Sequence, residues 1–583
     1  CMMSHKDRLA KFRTALSKAG LDGFIINRAD MYQGEEVRAA DERLAWLTGF
    51  TGSAGVAVVL ADTAAVFSDS RYHVQMEREL DSRYFDAHDM ISSPAHDWIK
   101  SAADAQDTPL RIGAYGWTLT KSGFDKLEAV FQDTDIVLTM HDTHPIDAVW
   151  DDRPDYPAAA PFFLDDAVSG RSSADKCEEL ASYLAGQGAD YLLLTAPDSV
   201  NWLLNLRARD LACTPYFLSF ALVRKTGDIQ LITETGEAVC EDVPAISFSE
   251  LDRVLKEASG SITLCDAARL PMALFTALKT ADHDVRLVPD HIQTLKAVKN
   301  PAEIAGFKEA HIRDGCALVR FWHWFEQQDK PAFHEHQIAE QLAAFRSEDE
   351  HFICDSFPAI AGFGAHGAIV HYRAVKASDA ALKGPGVLLL DSGGHYQMGT
   401  TDITRCFAVG TIDNETRRCS TAVFAAHANL AMTQFPEGTT GAQLDAICRA
   451  PLWAEGLDYG HGTGHGVGHI LSVHEGPASI APRRHDVIYA GYLLSNEPGT
   501  YKKDAFGIRH ENLVLTVATA PGWLAFETLT LFPFDLALID RDGLTSAQLS
   551  WLNHYHATVH STLSPHLPPH LEAFLAEKCA PLY

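Results

Sequence analysis

Four carboxylates set at the ends of short apolar runs constrain this chain more than any other feature. Val387-Leu388-Leu389-Leu390 is a continuous apolar strand ending in Asp391; Ser392-Gly393-Gly394 turns the chain, and Gly399-Thr400-Thr401 leads back to Asp402. A hairpin returns Asp402 close to Asp391. Aspartates adjacent on a sheet repel each other unless a cation lies between them, so a bound metal gives the placement a cause. Further on, Glu497 in Ser495-Asn496-Glu497-Pro498-Gly499 precedes a proline, which favours extended backbone, and a glycine that permits a turn. The chain then runs through Gly507-Ile508-Arg509-His510-Glu511-Asn512 into the strand Leu513-Val514-Leu515, a second carboxylate hairpin. Read singly, the first pair could be two turn aspartates and the second two exposed loop glutamates.

Between the hairpins lies His461-Gly462-Thr463-Gly464-His465-Gly466-Val467-Gly468-His469, followed by His474-Glu475-Gly476-Pro477. Glycines between histidines let the backbone approach a bound group closely and leave the imidazoles uncovered. A helical zinc pair at His461 and His465 is disfavoured by the glycines and by the missing glutamate of an HExxH pattern. A flexible histidine-rich surface loop is the plain alternative. Two carboxylate hairpins and a histidine segment in one region nonetheless ask for a common cause. Asp391, Asp402, His465, Glu497 and Glu511 form an oxygen-rich ligand set for two hard or borderline divalent metals about 3.5–4 Å apart. His371, His461 and His474 are further polar groups that could serve a reaction beside such a pair.

The chain has 583 residues. A single core rarely grows beyond roughly 250–300 residues, so two or three domains are expected. The first 160 or so residues alternate helical and strand patterns: an amphipathic helix (Leu9, Phe12, Leu16), then Gly20-Leu21-Asp22-Gly23, the strand Phe24-Ile25-Ile26, Trp46-Leu47 and the strand Gly55 to Leu60. That alternation implies an α/β domain. A proline-rich stretch (Pro154, Pro157, Pro161) reads as a linker. Past it the order Gly-x-Asp, apolar strand, Trp-Leu, apolar strand returns as Gly188-Ala189-Asp190, Tyr191 to Leu194, Trp202-Leu203 and Phe217 to Val223, so the domain is duplicated. A second boundary falls near residue 299. Asn300-Pro301-Ala302-Glu303 starts a helix whose Ile304, Phe307, Leu318 and Trp322 share a face.

The formal charge of −29, from 77 acidic and 48 basic residues, opposes binding to nucleic acid or an anionic membrane. The 11 cysteines are scattered singly without a CxxC pair, as in a reduced cytosolic protein. Cys1 directly precedes Met2 and Met3, which leaves an added or extended start open. With no secretory signal and no long apolar run, a cytoplasmic protein is expected.

The segments Asp391-Ser392-Gly393-Gly394-His395-Tyr396, Thr400-Thr401-Asp402-Ile403-Thr404-Arg405, His461 to Gly468, Ser495 to Gly499 and Glu511-Asn512-Leu513 together resemble the motifs of aminopeptidase P (Xaa-Pro aminopeptidase) in its long three-domain form. The resemblance extends to Phe526-Glu527-Thr528-Leu529-Thr530 and Trp551-Leu552-Asn553. It implies two creatinase-like N-terminal α/β domains (1–160 and 161–298). A pita-bread α+β catalytic domain with a C-terminal extension (299–583) would follow, built from two pseudo-symmetric αββ halves around a metal cleft. Asp402 and Glu511 would bridge two metals, His465 and Glu497 would complete one site, and Asp391 would chelate the other. His371 would contact substrate and the reacting centre, His461 would line the substrate pocket, His474 would polarise the scissile carbonyl, and Arg509 would lie beside the metal carboxylates. His469 stands where the family pattern does not call for histidine, and an ordinary pocket or surface residue is expected there.

The implied activity is release of the N-terminal residue from peptides with proline second, by attack of a hydroxide bridging the two metals, with Glu497 as proton shuttle. Manganese is favoured, with zinc or cobalt as alternatives. Prolidase shares the metal set but cuts dipeptides only; creatinase lacks the metal carboxylates; a metal-free pita-bread domain that binds peptides or histones would have lost ligands. A homodimer is expected through the catalytic domain, because Trp523, Phe526, Phe532, Phe534, Trp551 and Tyr555 give the C-terminal segment more aromatics than a solvated tail should carry. The alternative is that they pack within the subunit.

Overall fold

The repeated sequence pattern folds into the same sheet twice. In the first, Gly23–Asn27 pairs antiparallel with Val56–Leu60 and parallel with Leu110–Tyr115. Ala64–Ser68 and Asp86–Asp89 extend one side and Ile136–His141 the other. In the second, Tyr191–Leu194 pairs antiparallel with Phe220–Arg224 and parallel with Ile262–Cys265. Ile229–Thr233, Ala245–Ser247 and Asp284–Leu287 flank it with the same senses. The aspartate of each Gly-x-Asp does the same work. Asp22 accepts the backbone N–H of Arg111 (2.8 Å) and Asp190 that of Ile262 (3.0 Å), each on the strand running parallel to the one that follows the aspartate. The strand expected from Phe217 begins only at Phe220, because the Asn201 side chain takes both the N–H and the carbonyl of Phe217 (2.9 Å each).

This computed structural model describes residues 3–156, 160–376 and 378–583. Cys1 and part of the proline-rich stretch read as a linker (Pro157 to Ala159) lie outside the described residues. Both repeated sheets belong to one compact unit. The other unit comprises Gln293–Tyr583 together with two short upstream segments, Asp165–Gly170 and Ala212–Pro215. Those segments were not separable by sequence from the second repeat. They are held by side chains of the later region: Asn300 donates to the Ser169 carbonyl (2.8 Å), and the Cys354 thiol faces the Cys213 carbonyl (3.9 Å).

In the second unit, the helix Pro301–Glu326 starts as its sequence dictates. Asn300 caps the Glu303 N–H, and the Glu303 carboxylate returns to the Asn300 N–H (2.9 Å each). Phe307, Leu318 and Trp322 are buried and Ile304 is half-buried. Two helix pairs, Pro301–Glu326 with Glu335–Ser347 and Asn414–Ala431 with Gly441–Ala454, accompany two antiparallel strand systems. The first is Ile360–Phe363, Gly386–Ser392 and Ile403–Val409. The second contains Gly464–Gly466, Leu493–Asn496 and Asn512–Ala520. This is the paired αββ plan of the expected α+β domain.

The C-terminal aromatics mostly fill this unit's own core, which removes the argument drawn from them for a dimer surface. Phe532 and Phe534 are fully buried, and Trp551 stacks on Tyr555 at 5.2 Å. Arg405 explains why the segment folds inward: its guanidinium donates to the carbonyls of Phe532 (2.6 Å) and Pro533 (3.2 Å) and to the Tyr555 hydroxyl (3.1 Å). Only Trp523 of the six is largely exposed. Among the described residues, no helix is long and apolar enough to cross a membrane.

Candidate metal centre

Strand register brings each carboxylate pair to one end of an antiparallel ladder. Gly386–Ser392 pairs with Ile403–Val409 so that Asp391 faces Thr404 and Ser392 faces Ile403, leaving Asp402 just before the partner strand. Leu493–Asn496 pairs with Asn512–Ala520 so that Asn496 faces Asn512, leaving Glu497 and Glu511 at matching positions just beyond. His465 comes from Gly464–Gly466, which joins the second ladder through Gly466 opposite Leu494. His465 thus lies on a short strand, while the rest of the segment is irregular but mostly buried, not a surface loop. The segment's glycines admit neighbouring protein backbone, where the sequence pointed to a bound group. A Cβ at Gly464 would lie 2.0 Å from the Ser495 carbonyl oxygen, and one at Gly466 would lie 2.2 Å from that of Glu475.

Potential ligand atoms of Asp402, His465 and Glu511 all lie within 4.8 Å of one another. His465 Nε2 is 3.5 Å from Asp402 Oδ2 and 3.3 Å from Glu497 Oε1. Asp391 is tied by one oxygen to Arg509 (Nη2 to Oδ2, 2.5 Å), while its buried Oδ1 has no hydrogen-bond partner among the described residues. A buried carboxylate oxygen without a donor, close to three other acids and a histidine, is a donor set that fits a divalent metal centre.

The electrostatics agree. Burial, together with Asp402 and Glu497 and against Arg509, pushes the Asp391 carboxyl up to about 6. Burial and the charges of Asp402, Glu497 and Asp391 hold Glu511 well above the usual carboxylate range. Burial would lower His465, but hydrogen bonds and charge from Asp402 and Glu497 hold it well above an ordinary imidazole. Burial opposes ionisation of Glu497 as well, yet its contacts with His465 bring it down to about 2. The buried carboxylates thus repel one another's charge, which a divalent cation would offset.

Around the carboxylates the side chains are held by specific donors. Ser495 Oγ donates to Glu497 (3.0 Å) and accepts the His465 N–H (2.9 Å). Thr404 Oγ1 donates to Glu511 (2.7 Å) and accepts from Arg509 Nε (3.2 Å). Arg509 also donates to the Tyr501 hydroxyl (2.7 Å), which reaches His461 Nε2 (2.7 Å). A guanidinium only donates, so the Tyr501 proton is directed at His461 Nε2, and His461 Nδ1–H faces the Gly462 carbonyl (2.8 Å). Burial, reinforced by Arg509 and Arg449, lowers His461 to about 4, in keeping with a neutral ring.

His474 lies edge-on to the His465 ring at 4.4 Å and is exposed. His371 is half-buried, just after the short helix Gly364–Ala368 that packs on the Arg509 strand Phe506–Arg509. His469 is buried, bonded to the Met398 carbonyl (2.7 Å) and packed on Phe307, so it serves the core. Tyr501, Thr404 and Ser495 had not been singled out as site residues. Only their positions flanking the acidic residues could have flagged them.

A family model described as metallopeptidase family M24 matches residues 305–518, and one for its C-terminal region matches 522–582. Creatinase/prolidase N-terminal domain models match 8–148 and 152–303. A probable Xaa-Pro aminopeptidase P of Laccaria bicolor is 35% identical, with 99% of this chain and 93% of that protein covered. The chain belongs to metallopeptidase family M24, in its aminopeptidase P branch. Xaa-Pro aminopeptidase 1 of Dictyostelium discoideum, another of this branch, is 31% identical over 96% of the chain and 93% of its own length. The crystal structure of an X-prolyl aminopeptidase from Caenorhabditis elegans, described as a cytosolic enzyme with a di-nuclear active site, superposes with a TM-score of 0.92. It is 29% identical, and both chains are covered completely. The two N-terminal sheets and the paired αββ unit are therefore the creatinase-like and pita-bread folds of M24 metallopeptidases.

Proposed function

We propose that this chain is a dinuclear metal-dependent aminopeptidase that releases the N-terminal residue from peptides with proline in second position. The observation that carries the reading is the convergence of Asp402, His465 and Glu511, with Glu497 adjacent and one Asp391 oxygen unclaimed, in a chain related over its whole length to Xaa-Pro aminopeptidases. Asp402, His465, Glu497, Glu511 and the Asp391 Oδ1 would hold the two cations, with Asp402 and Glu511 as the ligands that both sites would share. Manganese is the metal favoured by this carboxylate-rich set, ahead of zinc or cobalt. Held there, two divalent cations would supply Lewis acidity for the scissile carbonyl and would lower the pKa of the attacking water.

The protein's own groups supply the rest. An Xaa-Pro bond has no N–H to offer and carries a rigid ring on the leaving side. His461, with both ring nitrogens engaged, presents its ring as a pocket wall beside which a pyrrolidine can lie. Arg509 fixes the free orientation of Asp391 by claiming its other oxygen. Glu497 is the proton shuttle between nucleophile and leaving nitrogen, and His371 and His474 steady the developing oxyanion. The free α-amino group meets the acidic cluster, restricting cleavage to the N-terminus.

In this reading the chain divides into creatinase-like domains at 1–160 and 161–298 and a catalytic domain at 299–583, acts in the cytoplasm, and forms a homodimer through the catalytic domain, an expectation that lost its support when most of the C-terminal aromatics proved to be buried or half-buried within the unit. The test is hydrolysis of Xaa-Pro-Xaa peptides against Xaa-Pro dipeptides and Xaa-Ala-Xaa peptides, with metal content measured alongside. Cleavage of dipeptides only makes the enzyme a prolidase, and a metal-free protein that only binds peptides refutes the reading.

A further inference from the structure

His474 is exposed, yet its ring is set edge-on to the ligand His465. The next residue, Glu475, is buried and carries one lysine on each oxygen. Lys299 Nζ lies 2.7 Å from Oε1 and Lys296 Nζ 3.0 Å from Oε2, and all three side chains are at most 3% exposed. Lys299 Nζ also donates to the Lys296 carbonyl (2.9 Å), tying both lysines into one arrangement. The Glu475 backbone is equally confined. It pairs with Gly466, the residue after His465, where a Cβ would collide with the Glu475 carbonyl oxygen. A Cβ at Gly468 would lie 2.7 Å from Leu471 Cβ, 2.8 Å from the Ser472 carbonyl oxygen and 2.9 Å from Glu475 Oε2, so the backbone beside the carboxylate is packed as tightly as glycine allows.

Burying three ionic side chains contributes little net stability, since apolar residues of similar volume often do as well. What such a clamp does is penalise displacement: moving the carboxylate strands buried charges. Displacement of Glu475 would carry His474 with it. We infer that Lys299 and Lys296, acting through Glu475, are positioning residues for His474 and fix its imidazole against the His465 side of the metal centre. The inference rests on the catalytic role proposed for His474.

A double-mutant cycle separates the two. Lys299→Met, His474→Ala and the double variant are assayed for kcat and KM on one Xaa-Pro-Xaa peptide, for metal content, and for amide hydrogen exchange across residues 468–475. Misplacing a group by about 1 Å costs on the order of 10²-fold. Lys299→Met is therefore expected to lower kcat about 10- to 100-fold with KM and metal content little changed, to speed exchange in that segment, and to cost nothing further on the His474→Ala background. Lys299→Arg should recover much of the loss. Should Lys299→Met not fold, the shape-preserving Glu475→Gln takes its place in the cycle. Losses that multiply in the double variant, or a Lys299→Met enzyme with normal kcat, overturn the positioning role while leaving that of His474 intact. A His474→Ala enzyme with normal kcat instead overturns the role of His474, and the inference falls with it.

Discussion

Asp391 shows how much a single carboxylate is asked to do. One oxygen is neutralised by Arg509, and the other, among acids, has no donor among the described residues. If Asp402 and Glu511 bridge while Asp391 serves one site, Asp402→Asn and Glu511→Gln should each lose more metal than Asp391→Asn. Equal loss of a single metal by all three, measured by elemental analysis, would contradict the bridging assignment. The metal-free protein should also respond to pH through Asp391. Its folded pKa of about 6 lies above the unfolded value near 3.8, so the folded form holds its proton more tightly. That stabilisation is full below about pH 4 and is lost as pH rises through about 6. Glu497, brought down to about 2, acts oppositely, losing stability as pH falls below its unfolded value. Thermal unfolding of chelated protein at pH 4.5 and pH 7 checks this: the difference should shrink in Asp391→Asn.

At the scale of elements, the two hairpins were legible because strand, turn and acid fall in order, and strand ends have few places to go. The segment carrying His371 was not. It is held by Glu335, a fully buried carboxylate at the start of Glu335–Ser347. Glu335 accepts from the Phe363 and Ala380 N–H groups (2.7 and 2.8 Å), from His366 Nδ1 (2.9 Å) and from the Tyr372 hydroxyl (2.7 Å). Nothing local in the sequence links position 335 to position 372; only packing does. Glu335→Ala leaves these donors buried without an acceptor and should destabilise the protein by about 3–5 kcal/mol in denaturant unfolding. Because Tyr372 adjoins His371, Glu335→Gln should lower kcat on Xaa-Pro-Xaa peptides while metal content holds. Retained stability and kcat in both variants would show the hub to be dispensable.

For the whole molecule, the expected stoichiometry is two divalent metals per chain, with activity abolished by chelators and restored by manganese. Cations that bind only the folded state stabilise it by mass action, about 2.7 kcal/mol for each site at a hundredfold excess over Kd. Chelation should therefore lower Tm, most strongly for the unit formed by Gln293–Tyr583, which holds every candidate ligand. An active enzyme with no metal, or a Tm indifferent to chelator, would sink the dinuclear reading. The homodimer is the expectation most open to revision, because Phe532, Phe534, Trp551 and Tyr555 are spent on the interior. Its check is the solution mass at micromolar concentration: a monomer refutes it.

The sequence by itself determined the duplicated α/β pattern, the capped helix at Asn300, the acid-bearing hairpins and the family. Each is written in local order: periodicity, turn residues and short motifs act over a few residues, and chain geometry converts them directly into structure. What only the tertiary structure decided is partnership across distance. The reach of Tyr501 to His461, the lysines on Glu475, the donors on Glu335 and the inward turn of the C-terminal aromatics all join residues whose sequence neighbourhoods give no hint of one another. Buried charges must find partners wherever packing brings them, and that matching is fixed only once the strands and helices have taken their places.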